Sequence, residues 1–477
     1  MRITFVGAIH AAVIWVSAWG FSMPTDAWSD DPRPAAEARR PHVVYFLADD
    51  LGWGDVGWHG GEIATPHLDA LAKAGARLEQ FYVQPVCSPT RAAFMTGRYP
   101  MRHGLQIGVV RPWAQYGLPL DERTLPTALA ETGYSTAIVG KWHLGHFQPE
   151  YLPTKRGFHH QYGHYNGAID FFDHTRDGGF DWHRDDRVAR DPGYSTTLIG
   201  DEAARIVREH DPARPLFLYV PFNAVHTPLQ VPEAYKAPYM HMKEPRRTYA
   251  GMLAALDEAV GKVVAEIDRK GLRERTLFLF SSDNGGPNPG RVTSNGPLRG
   301  QKSQLYEGGV RVPAFASWKG TIRENSEVRA PMHVVDLYPT LLGLAGASTE
   351  QTKPIDGLDV WPVIQGKEGP KDRVILLNTT PSAGAVRVGN WKLVINGASG
   401  VQEEDPVAAK KKQARKPPTE LFDLANDPYE KNDLAQARPE KRAELMAIYR
   451  KLAAEAVAPK SRPKAADFRS PAVWGER

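Results

Sequence analysis

Four short apolar runs, each followed by a polar cluster, limit the possible folds of this chain more than any other feature of its sequence. The runs cover residues 42–48, 134–139, 216–220 and 276–281. Continuous apolar runs of this length are typical of strands that are buried on both faces of a parallel sheet. Because parallel strands end at the same edge of a sheet, we expect the polar clusters that follow them to converge there.

Helical patterns lie between the predicted strands, over residues 65–74, 198–209 and 249–270. In the first of these, Thr65 is a candidate N-cap and Pro66 falls in the first turn. Alternating strands and helices predict an α/β fold in which helices flank a large, mostly parallel sheet. We place this domain at residues 41–345, with its ligand site beyond the carboxyl ends of the strands.

The pattern changes from about residue 346. Shorter strand candidates follow, which predict a smaller C-terminal α+β domain over residues 346–458. These candidates lie at residues 373–377, 385–388 and 392–395. The Lys-rich segment 402–418 is interpreted as a solvated loop rather than a binding patch. The Pro- and Lys-containing end, residues 459–477, is predicted to be a flexible tail.

The amino-terminal segment predicts export. The apolar stretch 3–21 ends near the small residues Ser17 and Ala18, as in secretory signals, so we assign residues 1–27 to a signal peptide and residues 28–40 to a linker. A membrane anchor is the alternative, because the apolar run is close to spanning length. In either case the folded part lies outside the cytoplasm, in the periplasm or secreted, and after signal removal we expect no stable membrane span.

Net charge gives little information about partners. The 477 residues include 59 Lys and Arg against 55 Asp and Glu, a formal charge of +4. So small a charge gives weak attraction to polyanions, and we expect no nucleic acid partner.

Cys87 is the only cysteine, so the chain can form no internal disulfide. A lone cysteine is by default a small buried hydrophobe. However, Pro89 at a first-turn position, with Ser88 as a candidate cap, predicts that a helix begins here and that Cys87 lies at its anion-binding mouth. In that position an unmodified thiol would have a lowered pKa and could act as a thiolate nucleophile.

Two acidic pairs follow the first and the last predicted strands. Asp49 with Asp50, and Asp283 with Asn284, offer only oxygen ligands, which suit Ca²⁺ or Mg²⁺ rather than a soft metal. Each pair alone is equally well explained as a helix cap. Two pairs at one predicted edge indicate a site for one hard divalent cation.

Five cationic or imidazole side chains complete the constellation. They are Arg91, Lys141, His143, His226 and Lys302. Singly, a lysine is usually a solvated charge and a histidine usually bonds to a carbonyl. Together they could surround a tetrahedral oxyanion ester, stabilise the transferring charge and donate a proton to the leaving oxygen.

At these residues the chain resembles the type I sulfatases of the alkaline phosphatase superfamily. The likeness covers about residues 41–435 and includes the string Cys87-Ser88-Pro89-Thr90-Arg91. Further matching motifs lie at residues 47–55, 96–98, 139–145, 282–286 and 420–430. The resemblance implies an alkaline phosphatase-like fold, with residues 41–345 as the catalytic domain of a sulfuric ester hydrolase.

The resemblance also implies a modified nucleophile and a metal. A maturation enzyme would oxidise Cys87 to formylglycine, whose hydrated aldehyde presents the hydroxyl that attacks sulfur. Asp49, Asp50, Asp283 and Asn284, together with the modified Cys87, would hold one Ca²⁺. Asp283 would also help to deprotonate the attacking hydroxyl.

The remaining roles are implied in the same way. Arg91 and Lys141 would hold the hydrate, and Lys141, His226 and Lys302 would contact the substrate. His226 and Lys302 would bind sulfate and protonate the departing alcohol. His143 would deprotonate the second hydroxyl, which expels sulfate and regenerates the aldehyde.

Within the family, residues 65–72, 297–300 and 307–311 resemble the arylsulfatase B group, the N-acetylgalactosamine-4-sulfatases. This favours a sulfated carbohydrate similar to an N-acetylgalactosamine-4-sulfate glycan. The lack of further cysteines is typical of bacterial members. The chain has His159 where the family often has Asp, and residues 163–184 are rich in His, Asp and aromatic residues, so we expect that segment to shape the substrate pocket.

Two alternatives remain open at this point. One is a phosphate or phosphonate ester hydrolase of the same superfamily, although a ligand set for one metal ion and Lys302 in its context favour sulfate. The other is a non-catalytic protein that binds sulfated glycans. Such a protein would be expected to lose a nucleophile or a ligand, whereas every expected position is filled here.

Overall fold

The computed structural model of the chain describes residues 40–288, 291–399 and 418–476. The predicted signal peptide, the linker up to residue 39 and the Lys-rich segment up to residue 417 lie outside the described residues. None of the helices within these ranges is long and apolar enough to cross a membrane.

Eighteen strands occur among the described residues. In chain order they are β1 (His42–Ala48), β2 (Ala76–Leu78), β3 (Phe81–Tyr82), β4 (Ser135–Lys141), β5 (His160–His164), β6 (Thr175–Arg176), β7 (Gly179–Phe180), β8 (His183–Arg184), β9 (Arg187–Val188), β10 (Leu216–Pro221), β11 (Thr276–Ser282), β12 (Ala314–Ser317), β13 (Ser326–Val328), β14 (Met332–His333), β15 (Val374–Thr379), β16 (Gly384–Val388), β17 (Trp391–Ile395) and β18 (Thr419–Asp423).

Ten α-helices connect or flank these strands within the described ranges. They are α1 (Pro66–Lys73), α2 (Cys87–Thr96), α3 (Leu125–Ala130), α4 (Ser195–Glu209), α5 (Glu233–Lys236), α6 (Arg246–Arg269), α7 (Glu307–Val310), α8 (Leu337–Ala345), α9 (Trp361–Ile364) and α10 (Pro439–Ala453).

Ten strands form the large sheet, in the order β13-β2-β12-β11-β1-β10-β4-β5-β8-β9. Its five central strands, from β11 to β5, are parallel, and the pairs β11–β12, β12–β2, β5–β8 and β8–β9 are antiparallel. The four strands predicted from the apolar runs are β1, β4, β10 and β11, and they lie side by side. The predicted α/β class with a large, mostly parallel sheet is therefore confirmed.

Two hydrophobic cores cover the two faces of this sheet. Successive residues of β1 alternate between them, with Val43 and Tyr45 in the core that contains α2, α3 and α8, and Val44 and Phe46 in the core that contains α1, α4 and α6. Side chains of a strand point alternately to opposite faces, so a strand buried on both faces needs apolar residues at every position. This explains why these strands have continuous apolar sequences.

A second, four-stranded antiparallel sheet has the order β15-β16-β17-β18. It matches the predicted smaller C-terminal α+β region, and its Leu376 and Leu393 belong to the same core as β1. The described residues from Arg40 onward belong to one compact unit. The predicted boundary at residues 345/346 remains a proposal. It would separate the part of this unit that contains the large sheet from the part that contains the four-stranded sheet.

The C-terminal segment lies against the separate two-stranded sheet β6–β7. Trp474 is buried, and its backbone N–H donates to the Phe180 carbonyl while its indole Nε1 donates to the Arg176 carbonyl at 2.7 Å. Nearer to α10, the Lys460 N–H donates to the Gly104 carbonyl. The predicted flexible tail thus has anchoring contacts along its length.

A buried ion-pair cluster joins the small sheet to the rest of the protein. Lys392 of β17 places its Nζ 2.9 Å from Glu307 and 2.8 Å from Glu430, and all three side chains are fully buried. The Tyr82 hydroxyl donates to Glu307 at 2.7 Å. Burial and the adjacent charge of Glu307 raise the pKa of Glu430 to about 7. One lysine therefore serves two buried carboxyl groups.

Removing that lysine is expected to destabilise the fold. In Lys392→Met, Glu430 remains buried without its cation and Glu307 keeps the more distant Arg311 at 3.6 Å, so we expect the free energy of unfolding to fall by about 3–5 kcal/mol in denaturant titrations. Lys319→Met is the matched control, because Lys319 pairs with Glu274 at 3.0 Å with both side chains exposed. That variant should lose less than about 1 kcal/mol. Equal losses in the two variants would contradict this role of Lys392.

Candidate active site

The polar clusters that follow the central strands meet at one edge of the large sheet. Asp49 follows β1, Lys141 ends β4, His226 follows β10 and Asp283 follows β11. Backbone hydrogen bonds tie these ends together, since the Asp49 N–H donates to the Ala224 carbonyl and the Asp283 N–H to the carbonyl of residue 48. The structure brings all the sequence-predicted site residues to this edge.

Helix α2 begins at Cys87, which is buried. The preceding Val86 is extended and makes no side-chain cap. The sequence-based interpretation of Ser88 as the cap is wrong, because Ser88 lies inside the first turn. Its hydroxyl donates to the His143 carbonyl and accepts from the Val110 N–H, both at 3.0 Å. Ser88 therefore ties the helix start to the loop after β4.

Arg91, one turn further along α2, contacts two of the predicted metal ligands. Its Nη2 donates to Asp283 Oδ2 at 2.8 Å and to Asp49 Oδ2 at 3.3 Å, and its Nη1 donates to the Lys141 carbonyl at 2.9 Å. Lys141 Nζ donates to the same Asp49 Oδ2 at 2.5 Å. These fully buried contacts fix α2, and so Cys87, relative to β1, β4 and β11.

A second group of contacts surrounds Asp50. Lys302 Nζ lies 2.7 Å from Asp50 Oδ1, and Asn284 Nδ2 donates to the same oxygen at 2.7 Å. His226 Nε2 lies 3.6 Å from Asp50 Oδ2. Asp50 adopts a left-handed backbone conformation (φ 66°), which Asp tolerates better than most residues and which turns its side chain toward this group.

The oxygen ligands predicted from the sequence fit a hard cation. Asp49 Oδ1 and Asn284 Oδ1 are buried and have no hydrogen-bond partner among the described residues. Ligand atoms of Asp49, Cys87 and Asp283 lie within 4.8 Å of one another. Buried oxygens without donors are costly unless a ligand satisfies them, and carboxylate and amide oxygens are those that Ca²⁺ prefers.

The pKa values of two carboxyl groups in this site are shifted in opposite directions. Burial opposes the ionisation of Asp49, but the charges of Lys141, His226 and Arg91 outweigh it and hold the pKa of Asp49 below its usual range. Burial and the negative charge of Asp49 raise the pKa of Asp283 to about 7. Neighbouring buried carboxylates repel each other in this way when no metal lies between them.

The Cys87 thiol differs from the expectation of a lowered pKa. Burial raises the pKa of Cys87, and the nearby charges of Lys141 and Lys302 only partly offset this effect. Desolvation disfavours a thiolate, and it outweighs the two nearby ammonium charges here. An unmodified Cys87 is therefore a poor nucleophile at neutral pH.

The imidazole of His143 has a defined tautomer. Its Nε2 lies 3.0 Å from the Val110 carbonyl, which can only accept, so Nε2 carries the proton and Nδ1 carries the lone pair. Nδ1 is buried without a partner among the described residues. Burial and the charges of Lys141 and Arg91 hold the pKa of His143 well below its usual value. His143 is thus a neutral base with a free acceptor atom.

Gly167 allows this imidazole to occupy its position. A Cβ atom at residue 167 would lie 2.4 Å from both Cε1 and Nε2 of His143, well inside contact distance. Residue 167 belongs to the segment 163–184 that we expected to shape the pocket. The contact between Gly167 and His143 could not be predicted from the sequence, because a glycine required by one close tertiary contact produces no periodic pattern.

A cavity of about 470 Å³ opens above these groups. Cys87, His143, His226 and Lys302 line it, as do Gly167 and Ala168. The sequence analysis missed two further lining residues, Arg111 and Arg176, which lie outside the strand-end motifs. Their basic character alone gave no signal, since arginines in proteins are mostly solvated.

Comparisons with known proteins agree with this geometry. The Sulfatase family model matches residues 41–347. Arylsulfatase J of Mus musculus is 36% identical over 492 residues, which cover 93% of this chain and 82% of that protein. Arylsulfatase A of Homo sapiens is 36% identical over 449 residues, which cover 85% and 86% of the two chains.

A solved structure supports the same assignment. The crystal structure of Ps i-CgsB in complex with k-i-k-neocarrahexaose superposes with a TM-score of 0.79 and 31% sequence identity, covering 88% of this chain and 94% of that one. The family match extends over most of the described chain and includes Cys87 and the metal-ligand candidates. The chain therefore belongs to the type I sulfatases of the alkaline phosphatase superfamily, and it is a sulfatase enzyme.

Proposed function

We propose that the chain is an exported, calcium-dependent sulfatase that removes sulfate from a glycan through a formylglycine made from Cys87. The observation that carries this proposal is the position of Cys87. It lines the cavity beside His143, His226 and Lys302, and its sulfur lies within 4.8 Å of ligand atoms of Asp49 and Asp283. A reacting ester in this cavity would contact the nucleophile, the cation site and the proton donors together.

Two groups would be added to this chain before it becomes active. Oxidation of Cys87 by a formylglycine-generating maturation enzyme would supply a hydrated aldehyde, whose hydroxyl is a better nucleophile than the buried thiol. A single bound Ca²⁺ would withdraw charge from the sulfate oxygens. Asp49, Asp50, Asp283 and Asn284 are the residues that would hold it, and the unpartnered oxygens of Asp49 and Asn284 support that choice.

Lys302 and His226 would act on the sulfate and on the leaving oxygen. Asp50 outweighs the effect of burial and raises the pKa of Lys302, so its ammonium remains a donor at neutral pH. His226 Nδ1 lies 2.6 Å from the Thr227 carbonyl and must donate to it, which leaves Nε2 directed at the site. His226 Nε2 can give a proton to the departing alcohol only when the imidazole ring is protonated, whereas Lys302 can donate a proton as the ammonium that it already is at neutral pH.

His143, Arg91 and Lys141 would act on the modified Cys87. The free lone pair on His143 Nδ1 suits the removal of a proton from a hydroxyl at position 87. Arg91 and Lys141 would hold the hydrate, and their bonds to Asp49 would keep them in place. Asp283, which accepts a hydrogen bond from Arg91 beside Cys87, would accept the proton of the attacking hydroxyl.

A sulfated carbohydrate is the substrate class that we favour. The bound k-i-k-neocarrahexaose in the Ps i-CgsB complex supports an oligosaccharide. The likeness of residues 65–72, 297–300 and 307–311 to the arylsulfatase B group favours an N-acetylgalactosamine-4-sulfate glycan. Secretion or a periplasmic location would follow from the predicted signal at residues 1–27.

The proposed nucleophile gives the first test. In protein made with a maturation enzyme, we expect mass spectrometry to find formylglycine at position 87 and ion chromatography to detect sulfate released from a 4-sulfated N-acetylgalactosamine glycan. Cys87→Ala should release none, because no hydroxyl remains to attack sulfur.

The outcomes of this test separate the alternatives. Release of phosphate from a matched phosphate ester at a higher rate would favour the phosphatase alternative, and binding without release would favour the glycan-binding alternative. Formylglycine with release from another sulfated sugar would replace only the favoured substrate. Full activity with unmodified Cys87 would overturn the proposed nucleophile.

Calcium should stabilise the folded protein as well as support turnover. After chelation, returning Ca²⁺ at about 100 times its dissociation constant should stabilise the fold by about 2.7 kcal/mol and raise the melting temperature. Asp283→Asn should reduce that rise, whereas Asp211→Asn, at an exposed position, should keep it. An equal rise in both variants would contradict the proposed ligand set.

Gly167→Ala should slow sulfate release by displacing His143. A misplacement of about 1 Å at a catalytic group reduces rates about 100-fold, and we expect an effect of that order on kcat. Gly343→Ala is the matched control, since the nearest atom to its added Cβ is an Asp359 oxygen at 3.5 Å. Unchanged turnover in Gly167→Ala, with both variants folded, would contradict the role of His143.

A further inference from the structure

The cavity contains two arginines that the proposed reaction does not use, Arg111 and Arg176. No aspartate or glutamate lines this cavity within the described part of the chain. The whole chain is nearly balanced, with 59 basic and 55 acidic residues, so a cationic lining is not a consequence of composition. A pocket lined by one sign of charge concentrates ligands of the opposite sign.

Arg111 has no anionic partner in the described ranges. Its Nε is buried without a hydrogen bond, and its guanidinium carbon lies 5.8 Å from the centre of the Trp113 ring. By contrast, Arg91 and Lys302 in the same region are ion-paired. A partly buried guanidinium without a partner is costly, and an anionic ligand would offset that cost.

Arg176 ends β6 and has only a weak partner. Its Nε lies 3.3 Å from Asp177 Oδ1, and the two side chains are 29% and 40% exposed. Surface ion pairs of this kind contribute little, so the remaining N–H groups of the Arg176 fork are available to a ligand.

The C-terminal segment holds Arg176 in place. Trp474 is 3% exposed, and its Nε1 donates to the Arg176 carbonyl at 2.7 Å. Phe180 of the adjoining β7 exchanges backbone hydrogen bonds with Ala472 and Trp474, both at 2.9 Å. The hairpin β6–β7 is thereby extended by residues from the far end of the chain, which fixes the backbone of a residue that lines the cavity.

We propose that Arg111 and Arg176 bind a second anionic group of the substrate, so that this enzyme prefers glycans carrying a carboxylate or another sulfate close to the sulfate that is removed. The inference rests on the proposed function, because Lys302 and His226 are assigned there to the first sulfate. Guanidinium forks match the paired oxygens of carboxylates and sulfates, which makes arginine suited to this task. Uronic acid and a second sulfate ester share this chemistry.

The test of this inference measures binding rather than turnover, so the result of the test does not depend on the proposed reaction. The background is Cys87→Ala protein with Ca²⁺, and titration calorimetry measures four ligands. These are N-acetylgalactosamine 4-sulfate, its 4,6-disulfate, the uronate-linked 4-sulfated disaccharide and the same disaccharide with its carboxyl reduced to an alcohol.

We expect the background protein to prefer the disulfate over the monosulfate, or the uronate over its reduced form, by about tenfold or more. Arg111→Gln and Arg176→Gln should each reduce that ratio of dissociation constants. If the ratio for the disulfate and monosulfate falls in these variants, the second anion is a sulfate. If the ratio for the uronate and its reduced form falls, the second anion is a carboxylate. Arg187→Gln, an exposed arginine of β9 that does not line the cavity, should leave the ratio unchanged.

Two results would overturn the inference. One is the absence of any preference for doubly anionic ligands in the background protein, and the other is a preference that survives in both arginine variants. A preference that depends on the arginines, together with no sulfate release by formylglycine-bearing wild-type protein, would keep the anion-binding role of Arg111 and Arg176 and overturn the proposed function alone.

Discussion

The geometry of this site depends on the buried carboxylate of Asp49. One of its oxygens accepts hydrogen bonds from both Lys141 and Arg91, while the other has no partner among the described residues. A buried carboxylate without cations would take up a proton, so these two side chains keep it ionised before a metal binds. Because Lys141 ends β4 and Arg91 lies on α2, the same contacts fix Cys87 relative to β1.

In the proposed mechanism, charge balance would link metal binding to substrate binding. Three carboxylates face three permanent cations here, namely Asp49, Asp50 and Asp283 against Arg91, Lys141 and Lys302. A divalent cation would leave this cluster with an excess of positive charge, which an anionic ester would reduce. Without the metal, the repulsion from Asp49 raises the pKa of Asp283, so that Asp283 takes up a proton more readily. In the proposed mechanism, metal and sulfate ester would therefore stabilise each other.

Sequence alone predicted the parts that follow from sheet geometry. The apolar runs predicted β1, β4, β10 and β11 to within a few residues, because strands buried on both faces must be apolar throughout. Once these strands are parallel neighbours, the residues after them have to meet, as Asp49 and Asp283 do. The cluster of metal-ligand candidates is thus predictable from strand ends, whereas the roles of Cys87, Arg91 and Lys302 were implied by the family resemblance.

The contacts that tune the site were not predictable, for a different physical reason. The Val110 carbonyl sets the tautomer of His143, but a carbonyl is present in every residue and leaves no mark on the sequence. Helix α1 shows the same limit, since Thr65 occupies its N-cap position while the carboxylate that accepts from its first N–H groups belongs to the distant Asp257. Arg176 reaches the cavity through a hairpin held by a tail almost three hundred residues away. Selectivity in such an enzyme therefore depends on tertiary contacts that can change while the strand-end motif stays the same.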